Sequence, residues 1–153
     1  IVSDAGTPCI SDPGFFIVRE AIRKNIQIIP IPGSTSIIPA LVVSGLAVDA
    51  FTFYGFLPKK KGKRREQLEI AMKRTETAVF FESPFRIDST LEIIESIDDA
   101  KNIVVAREIT KTYEEFIRGS VKSVINGNWQ RKGEIVLLIE GEKNDIRKDK
   151  KLF

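Results

Sequence analysis

Four polar loops contain the residue types that could do chemistry, and each lies where a predicted strand ends or a predicted helix begins. They span residues 3–14, 32–36, 82–86 and 106–111. Ligands of open α/β sheets bind outside the carboxyl ends of the strands, so we expect these loops to line a ligand cleft between two α/β units. Neither G-x-x-x-x-G-K-[ST] nor G-x-G-x-x-G is present, which leaves a nucleotide hydrolase or an ordinary dinucleotide-binding protein without support.

The first loop is the strongest of the four as a ligand-binding segment. Asp4 supplies a fixed carboxylate and Thr7 supplies a hydroxyl. Ala5 and Gly6 are small enough to let a ligand approach the backbone closely. A second turn cluster, Ser-Asp-Pro-Gly, follows at 11–14, which is more than a simple connection needs. The alternative interpretation is a tight loop with an Asx turn and no ligand.

Each of the other three loops has polar groups and an ordinary structural alternative. The amides and hydroxyls around Thr35 could hold a carboxylate, or they could cap a helix. Glu82 could accept a hydrogen bond from an amine or a sugar hydroxyl, and Arg86 could bind a carboxylate or a phosphate. The alternative for this pair is a capped helix start with a surface arginine. Glu108 and Lys111 follow an apolar strand, and their alternative is a charge pair on a surface loop.

The chain has no histidine and one cysteine, Cys9. The lack of histidine excludes a Ser-His-Asp or Cys-His hydrolase and a histidine-bound zinc site. A single cysteine allows no intrachain disulfide and no cysteine metal cluster, so we expect no metal and a reducing, cytoplasmic location. A general base would have to be a carboxylate or a desolvated lysine.

Basic charge is concentrated in one internal run and at the C-terminus, although the net charge is only +3. Placement of this kind is expected for contact with a polyanion. The alternative is a solvated loop at 59–65 and a basic, disordered tail at 143–153, and we expect the tail to be disordered. The candidate nucleic-acid contacts within the run are Lys59, Lys60, Lys61, Lys63, Arg64 and Arg65.

The hydrophobic pattern predicts strands and helices in alternation, then a more strand-rich stretch. Strands are expected at 26–31, 51–56, 77–81, 102–106, 113–117 and 132–140, with the end of another at 1–4. Helices are expected from Asp12-Pro13 to Asn25, from Ser34 or Thr35 to about Ser44, at 65–74, from Ser83-Pro84 onward and from Ser120. We therefore expect an α/β unit at 1–50 that has lost its opening part, and a second α/β unit with a mixed sheet at 51–142.

Several of these motifs together resemble one family. They are Val-Ser-Asp-Ala-Gly-Thr-Pro at 2–8, Ser-Asp-Pro-Gly at 11–14, Ser-Gly-Leu at 44–46, Gly-Phe-Leu-Pro at 55–58, Phe-Glu-Ser-Pro at 81–84 with Arg86, Ala-Arg-Glu at 106–108 with Thr110-Lys111, and Lys-Gly-Glu at 132–134. From Ile1 to about Gly141 they are similar, in the same order, to the 16S rRNA (cytidine-2′-O)-methyltransferases of the tetrapyrrole methylase superfamily.

The resemblance implies a tetrapyrrole-methylase-like fold of two α/β domains, the first truncated at its N-terminus, and usually a homodimer. It implies S-adenosylmethionine (AdoMet) as the methyl donor and 16S rRNA of the small ribosomal subunit as the substrate. By similarity the cofactor-binding residues are Asp4, Ala5, Gly6, Thr7, Thr35, Phe81, Glu82, Ser83 and Pro84. The basic run and Arg86 are then candidate RNA contacts, and Glu82, Glu108 and Lys111 are the candidate general bases.

The chain departs from the family pattern at a few positions. Phe85 stands where histidine is common, Ser34 and Ser36 flank Thr35 in place of small residues or proline, and Cys9 replaces an aliphatic residue. Two alternatives stay open: a tetrapyrrole methylase on the same scaffold, and a non-catalytic, RNA-binding remnant.

Overall fold

The computed structural model describes residues 1–4 and 6–142, so Ala5 and the predicted tail at 143–153 lie outside the described residues. The chain divides into two compact units, Ile1–Ser36 and a second unit from Ile37 onward. The first compact unit is shorter than the first domain predicted at 1–50, and the domain assignment stays a prediction.

A five-stranded mixed sheet forms the centre of the second unit, with the strand order β1-β2-β5-β3-β4. The strands are β1 (Phe51–Phe56), β2 (Thr77–Glu82), β3 (Asn102–Arg107), β4 (Glu115–Ser120) and β5 (Ile135–Ile139). β1 and β2 run parallel, whereas the other neighbouring pairs run antiparallel. The predicted mixed sheet is therefore confirmed.

Helices cover both faces of this sheet, because alternate residues of each strand point to opposite sides. On one face α3 (Lys61–Met72), α4 (Ile87–Ile97) and α5 (Val121–Asn126) pack against a core that includes Phe80 and Leu137. On the other face α2 (Ile37–Val42) packs against a smaller cluster that includes Leu138.

Several local predictions for the second unit are confirmed. Ile87, Leu91 and Ile94, which share one predicted helical face, are all fully buried. The Ser120 side chain caps α5 by accepting a hydrogen bond from the Ser123 amide. Gly45, the predicted end of the helix that follows Thr35, has a φ of 78°, a conformation that suits glycine after a helix.

Several element boundaries in the second unit differ from the prediction. β5 begins at Ile135 rather than at residue 132, and α2 begins at Ile37, after the predicted caps Ser34 and Thr35. α3 begins at Lys61 rather than Arg65, so most of the predicted basic loop is helical, as the good helix propensity of lysine and arginine allows. α4 begins at Ile87, because Ser83 first forms a turn in which its carbonyl accepts from the Arg86 and Ile87 amides. β4 begins at Glu115, because the Glu114 amide closes a turn onto the Lys111 carbonyl.

Among the described residues of the first unit, one segment is helical, α1 (Phe15–Arg23). Its N-cap is Gly14 rather than the predicted Asp12, because the Asp12 carboxylate accepts a hydrogen bond from the Ser3 hydroxyl instead. The predicted strands at 1–4 and 26–31 do not form in the described structure. A strand needs a neighbour to satisfy its backbone amides and carbonyls, and the described strands all lie in the second unit.

Candidate functional site

Two of the predicted ligand loops contact each other within the first unit. The Thr7 hydroxyl donates to the Ser34 carbonyl at 3.0 Å. Gly6 has a φ of 77°, and a Cβ built on it would lie 3.6 Å from the same carbonyl. A Cβ on Gly33 would lie 3.3 Å from the Thr7 hydroxyl oxygen. The two loops therefore lie in direct contact, with little side-chain volume between their backbones. This contact places Gly6 and Thr7 beside the segment that contains Thr35.

The first loop also contains strained backbone. Cys9 and Ser11 adopt positive φ values of 74° and 58° without being glycine. Such residues cost about 1–3 kcal/mol each and cluster at ligand-binding sites. The hydrogen bond between Ser3 and Asp12 ties the two turn clusters of the loop together. This loop is thus held in one conformation by contacts within the first unit.

In the second unit, β1, β2 and β3 all end along one edge of the sheet, the edge that runs across the strands and at which β5 begins. Glu82 at the end of β2 and Arg107 at the end of β3 both pair with Ile135 of β5. Phe56 at the end of β1 pairs with Phe81. The loops that follow β2 and β3 therefore start two strand spacings apart, or about 10 Å. The structure brings the predicted segments at 82–86 and 106–111 to the same edge.

Glu82 is a buried, fully engaged carboxylate. The residue is 2% exposed. One oxygen accepts from the Ser83 amide at 2.6 Å and pairs with Arg86 at 2.6 Å. The other oxygen accepts from the Thr90 hydroxyl at 2.7 Å. Through these contacts Glu82 fixes the turn after β2, which is the role of a positioning residue.

Arg86 connects this turn to the segment that precedes the basic run. Its guanidinium contacts Glu82 and also donates to the Leu57 carbonyl at 3.2 Å. Phe85 lies between Glu82 and Arg86 in the sequence. Its amide donates to the Ser83 hydroxyl, and the residue is 97% exposed. The turn thus presents an aromatic ring to solvent from a fixed backbone. The neighbouring Phe81 ring packs edge-on against Phe53 and at a tilt against Phe56.

Glu108 and Lys111 form a small charged network with Glu134. Glu108 accepts from the Glu134 amide at 2.8 Å, and Lys111 lies 3.1 Å from each of the two carboxylates. The amide of Glu134 and then Lys111 hold the pKa of Glu108 below its ordinary value. Glu108 and then Glu134 raise the pKa of Lys111. Lys111 therefore stays protonated at neutral pH, unlike the desolvated lysine that could serve as a base.

Two residues of this edge belong to motifs quoted from the sequence but were not among the predicted site residues. Arg107 is buried and donates to Glu115 from both Nε and Nη2, at 3.2 and 3.1 Å. Gly133 has a φ of 82°, and a Cβ on it would lie 2.4 Å from the Glu108 carboxyl group. The turn-forming Lys-Gly-Glu sequence at 132–134 was a signal for a tight approach, but its partner is remote in sequence.

The basic run is divided by the start of α3. Lys59, Lys60, Lys61 and Lys63 are exposed, whereas Arg64 is 5% exposed. Arg65 is exposed as well, but other side chains of the second unit engage its guanidinium.

Arg65 pairs with Glu69 and donates to the Ser96 hydroxyl. It also lines a cavity of about 750 Å³ that includes Asn102 and Glu140. These two residues lie where β3 begins and β5 ends. The cavity is therefore at the opposite edge of the sheet from Glu82 and Glu108.

No helix within residues 1–4 and 6–142 is long and apolar enough to cross a membrane. The same residues contain no group of three or more cysteine, aspartate or glutamate side chains that could hold a metal ion.

Comparisons with known proteins identify the family. Residues 1–125 match the Tetrapyrrole (Corrin/Porphyrin) Methylases. The chain is 44% identical over 145 residues to the Ribosomal RNA small subunit methyltransferase I of Halalkalibacterium halodurans, covering 92% of this chain and 50% of that protein. It is 42% identical over 149 residues to the Bacillus subtilis protein of the same name, covering 95% and 50%. The chain thus spans about half the length of these curated relatives.

Solved structures show the same fold at low sequence identity. The methyltransferase CobJ superposes with a TM-score of 0.64 at 18% identity, covering 89% of this chain and 62% of that one. A diphthine synthase superposes with a TM-score of 0.63 at 14% identity, covering 88% and 57%. The predicted α/β, tetrapyrrole-methylase-like fold is therefore confirmed, and the chain belongs to the tetrapyrrole (corrin/porphyrin) methylase family.

Proposed function

We propose that this chain acts in AdoMet-dependent methylation of small-subunit ribosomal RNA, at the ribose 2′-oxygen of a cytidine. The main support is the 44% identity, across 92% of the chain, to a protein named for methylation of that RNA. The chain spans half of that relative, so the activity, the substrate and the expected homodimer are proposals for the whole protein.

We assign AdoMet binding to residues of the first loop, to Thr35 and to the turn after β2. The first loop offers the Asp4 carboxylate and, at Gly6, a position without a side chain where the backbone has a φ of 77°. These features suit the amine, hydroxyl and carboxylate groups of AdoMet. Bound AdoMet would supply a methyl group activated by the sulfonium charge. The proposed binding residues are Asp4, Ala5, Gly6, Thr7, Thr35, Phe81, Glu82, Ser83 and Pro84.

The work of these residues is alignment of donor and acceptor. Holding two reactants in attack geometry can lower a barrier by about 7–11 kcal/mol. Glu82 would contribute by fixing the turn that contains Ser83 and Pro84, since both of its oxygens already have partners. This alignment does not require a strong base within the loop.

Removal of the 2′-hydroxyl proton is the remaining chemical task. Among the candidates, Lys111 is held protonated and Glu82 is enclosed. Glu108 is partly exposed at the same edge of the sheet, and we assign it the proton-accepting role. Its lowered pKa makes it a weak base, so its contribution would be modest.

The RNA would contact the same edge of the second unit. The exposed lysines at 59–61 follow Leu57, whose carbonyl is bound by Arg86 of the turn after β2. Lysine contacts to phosphate supply affinity, and exposed aromatic rings such as Phe85 stack on unpaired bases. Arg86 itself is largely committed to Glu82 and Leu57, so its role would be to hold this surface in place.

The test combines AdoMet titration by calorimetry with RNA binding over a range of salt concentrations. Wild-type protein should bind AdoMet. The triple variant Lys59→Ala, Lys60→Ala and Lys61→Ala should make the negative slope of log RNA-binding constant against log salt concentration less steep by about 2. The matched control replaces three exposed lysines elsewhere, Lys24, Lys73 and Lys122, with alanine. The control has the same change in charge and should keep most of the slope.

Two outcomes would replace the proposal with one of its alternatives. RNA binding without AdoMet binding would indicate a non-catalytic RNA-binding protein. AdoMet binding with equal RNA affinity in both triple variants would remove the assigned RNA surface and favour a small-molecule methylase.

A further inference from the structure

The end of β1 contains a bulge that changes the direction of one phenylalanine. Phe53 pairs with Val79 of β2. Phe56, three residues later on β1, pairs with Phe81, which is only two residues later on β2. Gly55, within this interval, has a φ of 72°, a left-handed conformation that suits glycine. One extra residue in a strand reverses the face to which the following side chains point.

The aromatic contacts show the face on which the Phe56 ring lies. Tyr54 stacks on Phe80 in the larger core cluster, on one face of the sheet. Phe53 contacts Phe81 on the other face, with 4.9 Å between the ring centroids. Because successive side chains alternate, an unbulged β1 would place Phe56 on the face of Tyr54. The Phe56 ring instead lies 5.3 Å from the Phe81 ring, so the bulge adds it to the face of Phe53.

Burial does not explain this arrangement, because Phe56 stays 58% exposed. Phe53 and Phe81 are half-buried and pack against the smaller core cluster, so they are fixed neighbours for the Phe56 ring. β1 is also the outermost strand on its side of the described sheet. Bulges are common at sheet edges and beside functional sites, where they direct a side chain. A ring that is supported by its neighbours and open to solvent can receive a flat ligand by stacking.

Exposed lysines at 59–61 follow Phe56 at a short, fixed distance. The intervening Leu57 is buried, and both of its backbone groups are bonded, the amide to a carbonyl of β2 and the carbonyl to Arg86. Lys59 is three residues from Phe56, so their Cα atoms lie within about 11 Å of each other. Proteins bind single-stranded nucleic acid by this combination, in which bases stack on aromatic rings and cations follow the phosphates.

We propose that Phe56 is a stacking platform for an unpaired base of the RNA, and that the lysines at 59–61 bind the phosphates beside that base. The proposal deepens the proposed function and rests on it for the identity of the RNA. Phe53 and Phe81 hold the platform in place before the RNA binds. The lysines supply an attraction that any sequence would feel, and the ring selects RNA with a base free to stack.

Binding of a short single-stranded RNA over a range of salt concentrations tests the platform. Phe56→Leu keeps an apolar side chain but removes the π face, so it should bind this RNA about tenfold more weakly. Its salt slope should equal that of the wild type, because no charge changes. Phe56→Tyr keeps the ring and should retain the wild-type affinity. A role in packing alone would leave the RNA affinity of both variants unchanged.

The matched control is Phe51→Leu. Phe51 is an exposed phenylalanine at the opposite end of the same strand, so this variant should bind the RNA as tightly as the wild type. Photocrosslinking reports the contact directly. Iodouridine in the RNA should crosslink to the peptide that contains Phe56, as read by mass spectrometry, and Phe56→Leu should lose this crosslink.

Several results would overturn the platform. They are a wild type that does not bind the RNA, unchanged affinity in Phe56→Leu, or an equal loss of affinity in Phe51→Leu or Phe56→Tyr. Unchanged RNA affinity with weaker AdoMet binding in Phe56→Leu would instead assign the ring to the cofactor. Unchanged RNA affinity with an altered sedimentation mass would assign the ring to contact with a second copy of the chain.

The proposed function and the platform can fail separately. Absence of AdoMet binding in the wild type would reject the proposed function, and the RNA affinities of the Phe56 variants would still decide the platform. AdoMet binding and methyl transfer by the wild type, combined with full RNA affinity in Phe56→Leu, would reject the platform alone.

Discussion

The turns after β2 and β3 both begin at one edge of the sheet and both contain a glutamate, but the two glutamates have opposite surroundings. Glu82 is enclosed by Arg86, Thr90 and the Ser83 amide. Glu108 is partly exposed and shares the Lys111 ammonium group with a second carboxylate, that of Glu134.

This difference shows that burial, rather than residue type or position along a strand, decides what a carboxylate does. A buried carboxylate whose two oxygens both have partners fixes its neighbours, and its loss leaves several donors without partners. An exposed carboxylate can exchange partners with little cost, since surface ion pairs contribute little. Glu82 is therefore suited to hold a binding turn in place, and Glu108 is suited to meet a ligand.

The largest expected effect is that of Glu82→Ala. Removing this carboxylate leaves the Arg86 charge and the Thr90 hydroxyl without their partner, so we expect a loss of about 3–5 kcal/mol in the free energy of unfolding. Chemical denaturation measures this loss. Glu82→Gln keeps the shape and one acceptor, so it should lose about 1–3 kcal/mol. Equal and small losses in both variants would show that the turn after β2 is not fixed by this carboxylate.

Gly133→Ala should have the next largest effect, through the turn after β3. The added Cβ would lie 2.4 Å from the Glu108 carboxyl at a φ of 82°. Left-handed backbone alone costs a residue with a Cβ about 1–2 kcal/mol, so we expect a loss of at least that size in denaturant titration. Gly62→Ala is the control, because its Cβ meets no atom within 4 Å in a helix, where alanine is favoured. A stabilising Gly133→Ala would contradict the close approach.

The second unit was largely predictable from sequence, because its periodic patterns have a sheet to pack against. α1 and α4 illustrate the limit. Both have an apolar stripe at helical spacing, but α4 buries five residues against the sheet and α1 buries none. In the same way β5 pairs on both sides, whereas the isoleucine-rich segment at 26–31 forms no strand among the described residues. An apolar pattern indicates which face of a segment can be buried, but burial also requires a neighbouring element for that face to pack against.

The site was less predictable than the fold, because its contacts are between residues remote in sequence. The motif at 81–86 located the turn after β2, but not the burial of Glu82 beneath Thr90. The run of cations indicated a polyanion surface, but not that Arg64 faces inward while its neighbours face solvent. The helical spacing of Arg64 and Leu68 was the available signal, and it became usable only once the start of α3 was known.

The smallest expected effect is a pH dependence at the exposed network. The pKa of Glu108 is lowered, so its contribution to stability is present above about pH 4.5, the ordinary value for the group, and is lost as the pH falls below it. The pKa of Lys111 is raised, so its contribution is present below about pH 10.5 and is lost above that value. Unfolding midpoints across pH should show both losses in the wild type. Glu108→Gln should lack the acidic one.

Lys111→Met sharpens this prediction by separating the two partners of Glu108. The amide of Glu134 is the larger cause of the lowered pKa and Lys111 the second. The variant should therefore keep most of the loss of stability at acidic pH while its loss at alkaline pH disappears. If the acidic loss disappeared too, the ion pair rather than the backbone amide would hold Glu108. The turn after β3 would then depend on surface charge, and its contrast with the buried turn after β2 would be larger.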